Sequence, residues 1–141
     1  MRYVLDASVA VKWVLFEADS DKALRLRDAF NAHVHELLAP DFWPYELANG
    51  LTKTERRGVV PPGDAEILLA RVMLTPHKLL PGLPLLGRAT EISSQARHGF
   101  YDCLYVALAE QEGCEFITSD QRLVGKLGPS FPFITSLSSL P

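Results

Sequence analysis

Four acidic residues lie at positions where carboxylates could act on a substrate together. Asp6 directly follows the apolar run at residues 3–5, and Asp120 comes just after the apolar run at residues 116–118. Both runs are predicted strands, and parallel α/β sheets bind their ligands beyond the carboxyl ends of the strands. We therefore expect Asp6 and Asp120 at the same edge of one sheet, within a single cleft.

The other two acids lie within predicted helices. Glu46 is in the first turns of one helix, among mostly apolar neighbours, and Asp102 opens a helix so apolar that it must be largely buried. Carboxylates gathered in one place repel each other, by roughly 4 kcal/mol per pair at 4 Å and an effective dielectric constant near 20. Such a group must therefore take up protons or bind a hard divalent cation.

The residue types favour a particular kind of cation. Aspartate and glutamate oxygens without nearby histidine or cysteine suit Mg²⁺ or Mn²⁺ better than Zn²⁺. The histidines show no metal-ligand spacing on a shared helix, and the alternation of two of them along one predicted strand is a weak signal. The histidines are His33, His35, His77 and His98.

Hydroxyl side chains accompany two of the aspartates. Ser8 follows Asp6 by two residues, and Thr118 precedes Asp120 by two residues. A hydroxyl can hydrogen-bond a carboxylate, a water or a phosphate oxygen. Helix capping by Ser8 and simple strand propensity of Thr118 are the structural alternatives.

Several polar residues could contact a phosphate beside the acids. Asn49 lies one helical turn from Glu46, and Lys53 and Arg57 continue that helix face. Lys12 lies one turn beyond Ser8. A solvated surface charge is the simpler explanation for each cation.

The acids also have structural alternatives. Asp102 is placed to cap a helix or to favour the helix dipole, a contribution of roughly 0.5–2 kcal/mol. Glu46 taken alone fits a solvated first-turn glutamate, and Asp120 fits a turn aspartate. Asp6 is the hardest to explain structurally, because its neighbours are apolar or small.

The rest of the chain alternates predicted strands with predicted helices. This order indicates an α/β protein with a parallel sheet that helices cover on both faces. The predicted strands span 2–5, 33–40, 78–80, 114–119 and 131–137. The predicted helices span 9–16 after a Ser8 cap, 20–30 with Ser20 or Asp21 as the cap, 41–57 capped by Asp41, 62–75, 88–97, 101–112 and 120–127.

Composition sets further limits. The 141 residues indicate one domain over 1–141, and 48% hydrophobic with 22% charged residues is typical of a globular protein. A net charge of −3 argues against a protein held to nucleic acid mainly by phosphate neutralisation. Cys103 and Cys114 would lie about 16 Å apart along a helix, too far for a disulfide. With no membrane-length apolar run and no signal peptide, we expect a soluble cytoplasmic protein.

Four fragments together resemble the PIN-domain family, and within it the VapC-type toxins of prokaryotic toxin–antitoxin pairs. Their order and separations carry the resemblance, which spans nearly the whole chain, although 58–99 contributes little. The fragments are VLDASVAVKW, APDFWPYELANGL, YDCLYVALAE and FITSDQRL.

The resemblance implies an α/β/α sandwich with a parallel sheet of four or five strands, and a metal-dependent ribonuclease. It also implies a homodimer and a small antitoxin whose C-terminal segment lies across the active-site groove. Mg²⁺ or Mn²⁺ would bind Asp6 and Asp102, with Glu46 and Asp120 completing the shell. The family's acidic quartet thus falls on Asp6, Glu46, Asp102 and Asp120, and its hydroxyl residues fall on Ser8 and Thr118.

Other functions are compatible with acids at strand ends. Phosphatases with an aspartate nucleophile usually have a second acid two residues after the first, where this chain has Ser8. A response-regulator receiver needs an acidic pair near the first strand and a lysine after the last, and the final predicted strand offers none. A PIN-like module that binds RNA or protein without cutting is the main alternative to a nuclease.

Overall fold

The computed structural model describes residues 1–141 and contains a parallel sheet of five strands, which confirms the predicted α/β/α sandwich. Each predicted strand is present, although most are shorter than expected. The strands are β1 (Arg2–Leu5), β2 (Glu36–Pro40), β3 (Lys78–Leu80), β4 (Glu115–Thr118) and β5 (Ile134–Ser136).

Seven helices connect and cover the strands. Two short 3₁₀ turns, Leu83–Leu85 and Leu137–Ser139, complete the regular structure. None of the helices combines the length and apolar character needed to cross a membrane. The helices are α1 (Ala7–Val11), α2 (Ser20–Asn31), α3 (Trp43–Arg56), α4 (Asp64–Val72), α5 (Leu86–Ala96), α6 (Phe100–Glu112) and α7 (Gln121–Leu127).

The strand order creates a crevice at the centre of the sheet. The order is β3-β2-β1-β4-β5, and all pairs are parallel. The chain leaves β1 toward β2 and later returns to β4 on the other side, so the switch in direction falls between β1 and β4. With right-handed connections, α1 to α4 cover one face and α5 to α7 cover the other. Ligands of such sheets bind where the direction switches.

The core explains why α6 is apolar around most of its surface. One side of α6 packs on β1, β2 and β4, while α5 packs against another side. All seven residues from Cys103 to Ala109 are buried as a result. Gly113 ends the helix with a positive φ of 64°, a conformation that suits glycine. Both cysteines are free thiols, as expected.

The helix after β1 differs from its prediction. It begins at Ala7 with Asp6 as the capping residue, so Ser8 is not the cap. The helix ends at Val11. Beyond it, the amide of Trp13 donates to the carbonyl of Ala10, three residues earlier, in a tighter turn. The indole of Trp13 donates to the Ala23 carbonyl over 2.9 Å, which holds this turn against α2. An apolar sequence alone could not show that the helix would end after five residues.

Two other predicted caps were also wrong. Asp19 precedes α2 with a positive φ of 64°, while the Ser20 hydroxyl accepts from the Glu17 amide and donates to the Leu15 carbonyl. Ser20 therefore fixes the preceding turn. At α3 the flanking residue is Phe42, and the Asp41 amide instead donates to Leu80 at the end of β3.

His77, just before β3, is an apolar-packed histidine. Its ring stacks on Trp43 with centroids 4.0 Å apart and lies 5.9 Å from Trp13. Only 5% of the residue is exposed, and neither ring nitrogen has a hydrogen-bond partner. Burial lowers the pKa of His77 to about 3. The ring is therefore neutral at pH 7.

Candidate active site

Asp6 lies at the crevice between β1 and β4. Its amide donates to the Ile117 carbonyl over 3.0 Å, which ties the end of β1 to β4. Its carboxylate accepts from the Thr118 hydroxyl at 2.6 Å and from the Ser8 amide at 3.4 Å. Only 6% of the residue is exposed. The sheet topology thus delivers a carboxylate into the crevice and holds it there with hydrogen bonds.

Thr118 connects Asp6 to Asp120. The Thr118 hydroxyl donates to Asp6 and accepts from the Asp120 amide over 3.1 Å. Asp120 itself is exposed, and its Oδ1 accepts from the amides of Arg122 and Leu123, which caps α7. The structural alternative for Asp120 is therefore real, yet the residue still lies beside the crevice.

Glu46 reaches the crevice from α3, where Tyr105 holds it. The Tyr105 hydroxyl donates to Glu46 Oε1 over 2.8 Å and accepts from the Ala7 amide at 3.3 Å. The Tyr105 ring is buried and stacks on Phe116 of β4. Sequence reasoning missed Tyr105, although its position three residues after Asp102 puts both on one helix face.

Asp102 has a histidine partner that the sequence did not predict. His98 Nε2 lies 2.7 Å from Asp102 Oδ2, and the histidine side chain is 9% exposed. His98 precedes α6, whose flanking residue is Gly99, so Asp102 lies in the first turn and does not cap the helix. His98 and Asp102 are four residues apart in the sequence, but this spacing alone does not show that a histidine orients a metal-binding carboxylate.

The carboxylates of the crevice influence one another. Burial raises the pKa of Asp6, and the nearby Asp102 raises it further. Burial, Asp6 and Asp102 together raise the pKa of Glu46 to about 7. None of the ion pairs in the protein includes Asp6 or Glu46. Three carboxyl groups therefore share a site that no lysine or arginine neutralises.

The donor types fit a hard divalent cation. Every acid at the crevice offers carboxylate oxygens, the ligands that Mg²⁺ and Mn²⁺ prefer. No group of three or more histidine, cysteine, aspartate or glutamate side chains is arranged to hold a metal ion in this structure. The fit thus rests on donor chemistry and on the mutual effects of the carboxyl groups.

The predicted phosphate contacts have different surroundings. Asn49 is exposed and lines a cavity together with Glu46. Lys53 is exposed further along α3, Arg57 is exposed just after the end of α3, and Lys12 is half-buried just after α1. The structure brings Asn49 to the edge of the crevice, while Lys53 and Arg57 lie progressively further from Glu46.

Comparison with known proteins agrees with this architecture. The PIN domain family matches residues 3–126, and the chain belongs to that family. More narrowly, it is a PIN-domain protein of the VapC type. Ribonuclease VapC3 from Pyrobaculum aerophilum is 30% identical over 128 residues, which cover 89% of this chain and 95% of that protein. The crystal structure of PAE2754 from Pyrobaculum aerophilum has a TM-score of 0.70 at 26% identity, covering 99% of this chain and 94% of that one.

Proposed function

We propose that this protein is a metal-dependent endoribonuclease that hydrolyses RNA phosphodiester bonds. The observation that carries the proposal is the Asp6 carboxylate. It is buried, has no basic partner, and shares the crevice with Glu46 and Asp102. The relative named as a ribonuclease supports RNA as the substrate. Hydrolysis by water would leave a 5′-phosphate and a 3′-hydroxyl.

We assign Asp6 and Asp102 as the main ligands of Mg²⁺ or Mn²⁺, with Glu46 and Asp120 completing the shell. A bound cation would polarise the phosphoryl group and activate water for attack. Glu46, which the Tyr105 hydroxyl holds beside these acids, would orient the attacking water. Thr118 orients Asp6 through its 2.6 Å hydrogen bond.

Other chain residues would hold the backbone of the substrate. Asn49, at the edge of the crevice, is placed to donate to a phosphate oxygen close to the cut. Lys12, Lys53 and Arg57 would contact phosphates further away. Ser8, whose hydroxyl accepts from the Ser119 amide at 3.4 Å, would keep the β1 and β4 ends together.

The biological setting that follows is that of a toxin. We propose that the protein is the toxin of a toxin–antitoxin pair, as the VapC relative suggests. It would act as a homodimer in the cytoplasm, where RNA is available. A cognate antitoxin would inhibit it by covering the crevice and its acids.

Cleavage of a mixed pool of labelled RNAs by the purified chain tests the nuclease proposal. We expect cuts with Mg²⁺ or Mn²⁺, no cuts with EDTA, and a 5′-phosphate on the products. Calorimetric titration with Mn²⁺ runs in parallel. Mn²⁺ binding without any cleavage would favour the alternative of a non-cutting RNA- or protein-binding module. A protein that neither binds Mn²⁺ nor cuts RNA would contradict the metal site itself.

His98→Ala is expected to weaken Mn²⁺ binding on the order of tenfold, because Asp102 loses the partner that orients its carboxylate. Isothermal titration calorimetry of the RNA-free protein gives the affinity directly. His33→Asn is the matched control, since His33 is exposed and asparagine tolerates its positive φ of 60°. Equal Mn²⁺ affinities for all three proteins would contradict a positioning role for His98.

A further inference from the structure

An aromatic cavity adjoins the acids on the α3 side. Its lining residues come from α3, from the segment before it and from the start of α6. One of them is Glu46, so the cavity opens directly beside the carboxyl groups of the crevice. The lining residues are Phe42, Tyr45, Glu46, Asn49 and Tyr101.

Two tyrosines of this cavity are largely exposed to solvent. Tyr45 is 78% exposed and Tyr101 is 61% exposed, while Trp13 and Trp43 are buried in the core. Phe42 also lines the cavity and is half-buried. Its ring meets the rings of Tyr101 and Tyr105 edge to face, with centroids 5.2 and 5.3 Å away.

The exposed face of α3 beyond the cavity is basic. Helical spacing places Tyr45, Thr52 and Arg56 on one stripe, with Asn49 and Lys53 beside it. Lys53 and Arg56 lie about 12 and 16 Å along the helix from Tyr45. Neither takes part in an ion pair, and Arg56 donates only to the Thr52 hydroxyl. The stripe therefore leads from aromatic rings to unpaired cations.

We propose that this cavity binds one unpaired nucleobase next to the scissile phosphate. The inference rests on the proposed nuclease function and deepens it. Tyrosine rings stack on the faces of unpaired bases. Lys53 and Arg56 would then contact the backbone that leaves the cavity. A base held in a duplex could not stack on Tyr45 or Tyr101.

The charge pattern favours RNA over the other occupants of an aromatic cavity. A peptide or a second copy of the chain would gain from the tyrosines but has no general need of unpaired cations along α3. A polyanion that carries flat aromatic rings matches both features. The acids of the crevice then receive the phosphate next to the bound base.

Binding is measured with a single-stranded oligoribonucleotide that contains 2-aminopurine, and with the same strand annealed to its complement. All proteins carry Asp6→Asn, so that the RNA is not cut. We expect Tyr45→Ala and Tyr101→Ala each to weaken single-strand binding on the order of tenfold, while Tyr45→Phe binds normally. Phe16→Ala is the matched control, since Phe16 is 99% exposed and lies outside the cavity.

Each result decides the matter. Weaker binding and reduced 2-aminopurine quenching in the two alanine variants, with poor binding of the duplex by the parent, support the base site. Unchanged binding in both variants overturns it, as does a loss of self-association alone, seen by light scattering. If the native protein and Tyr45→Ala, both with native Asp6, cut RNA equally well, the nuclease proposal stands and the base site is contradicted. A native protein that cuts no RNA removes both.

Discussion

Asp6→Asn is expected to reduce metal-dependent RNA cleavage on the order of a thousandfold while the protein stays folded. The substitution removes one negative charge from the centre of the crevice and keeps the size of the side chain. Thr118 has a second lone pair with which it can accept from the new amide, so the link between β1 and β4 survives. The buried charge is also costly to the fold, because burial raises the pKa of Asp6. Loss of activity should therefore come without loss of stability.

The measurement is the rate of cleavage with Mn²⁺, together with the thermal midpoint without metal. Asp28→Asn is the matched control, because it makes the same chemical change at an exposed residue of α2. It should cut RNA at the normal rate. An Asp6→Asn protein that cuts as fast as this control would show that Asp6 has no part in the reaction and that the candidate site is wrong.

The sequence was informative where one physical effect dominates. The strand at 78–80 was predicted with its observed bounds, although two prolines and two glycines follow it closely. The positions of Asp6 and Asp120 followed from the geometry of parallel sheets alone. The resemblance to PIN domains grouped Asp6, Glu46 and Asp102, but their convergence depends on a strand order that only the structure shows.

The errors arose where two explanations share one pattern. Asp6 and Ser8 can both begin a helix, and only the tertiary hydrogen bonds of Asp6 decide which one does. His98 and Tyr105 carry no signal as isolated residues, since a histidine at a helix start and a tyrosine in a buried helix are ordinary. Their roles become visible only in the structure, where His98 hydrogen-bonds Asp102 and Tyr105 hydrogen-bonds Glu46. Asp120 shows that a structural role and a functional position are compatible in one residue.

His77 should make the protein sensitive to acid, for reasons unrelated to the crevice. Its pKa is about 3 in the folded protein and roughly 6.5 in an unfolded chain. Between these values the unfolded state binds a proton that the folded state refuses, so the free energy of unfolding falls as the pH falls. The loss amounts to about 1.4 kcal/mol per pH unit, or roughly 3 kcal/mol from neutral pH down to pH 4.5.

His77→Phe is expected to remove this acid sensitivity. The phenyl ring can keep the stack on Trp43 and eliminates two ring nitrogens that have no hydrogen-bond partner. We expect the variant to gain about 1–2 kcal/mol at pH 7.5 and roughly 3 kcal/mol more at pH 4.5. Urea unfolding of both proteins at several pH values gives the difference.

The comparison between the two proteins isolates His77. Asp6 and Glu46 also titrate on folding, but with the opposite sign, because their raised pKa values make the folded state more stable as the pH falls. Both residues are present in each protein, so their contribution cancels in the difference. Any misfit of the larger phenyl ring adds a constant that does not depend on pH. A difference in unfolding free energy that stays flat from pH 7.5 to pH 4.5 would therefore mean that His77 takes up its proton in the folded protein as readily as in the unfolded chain.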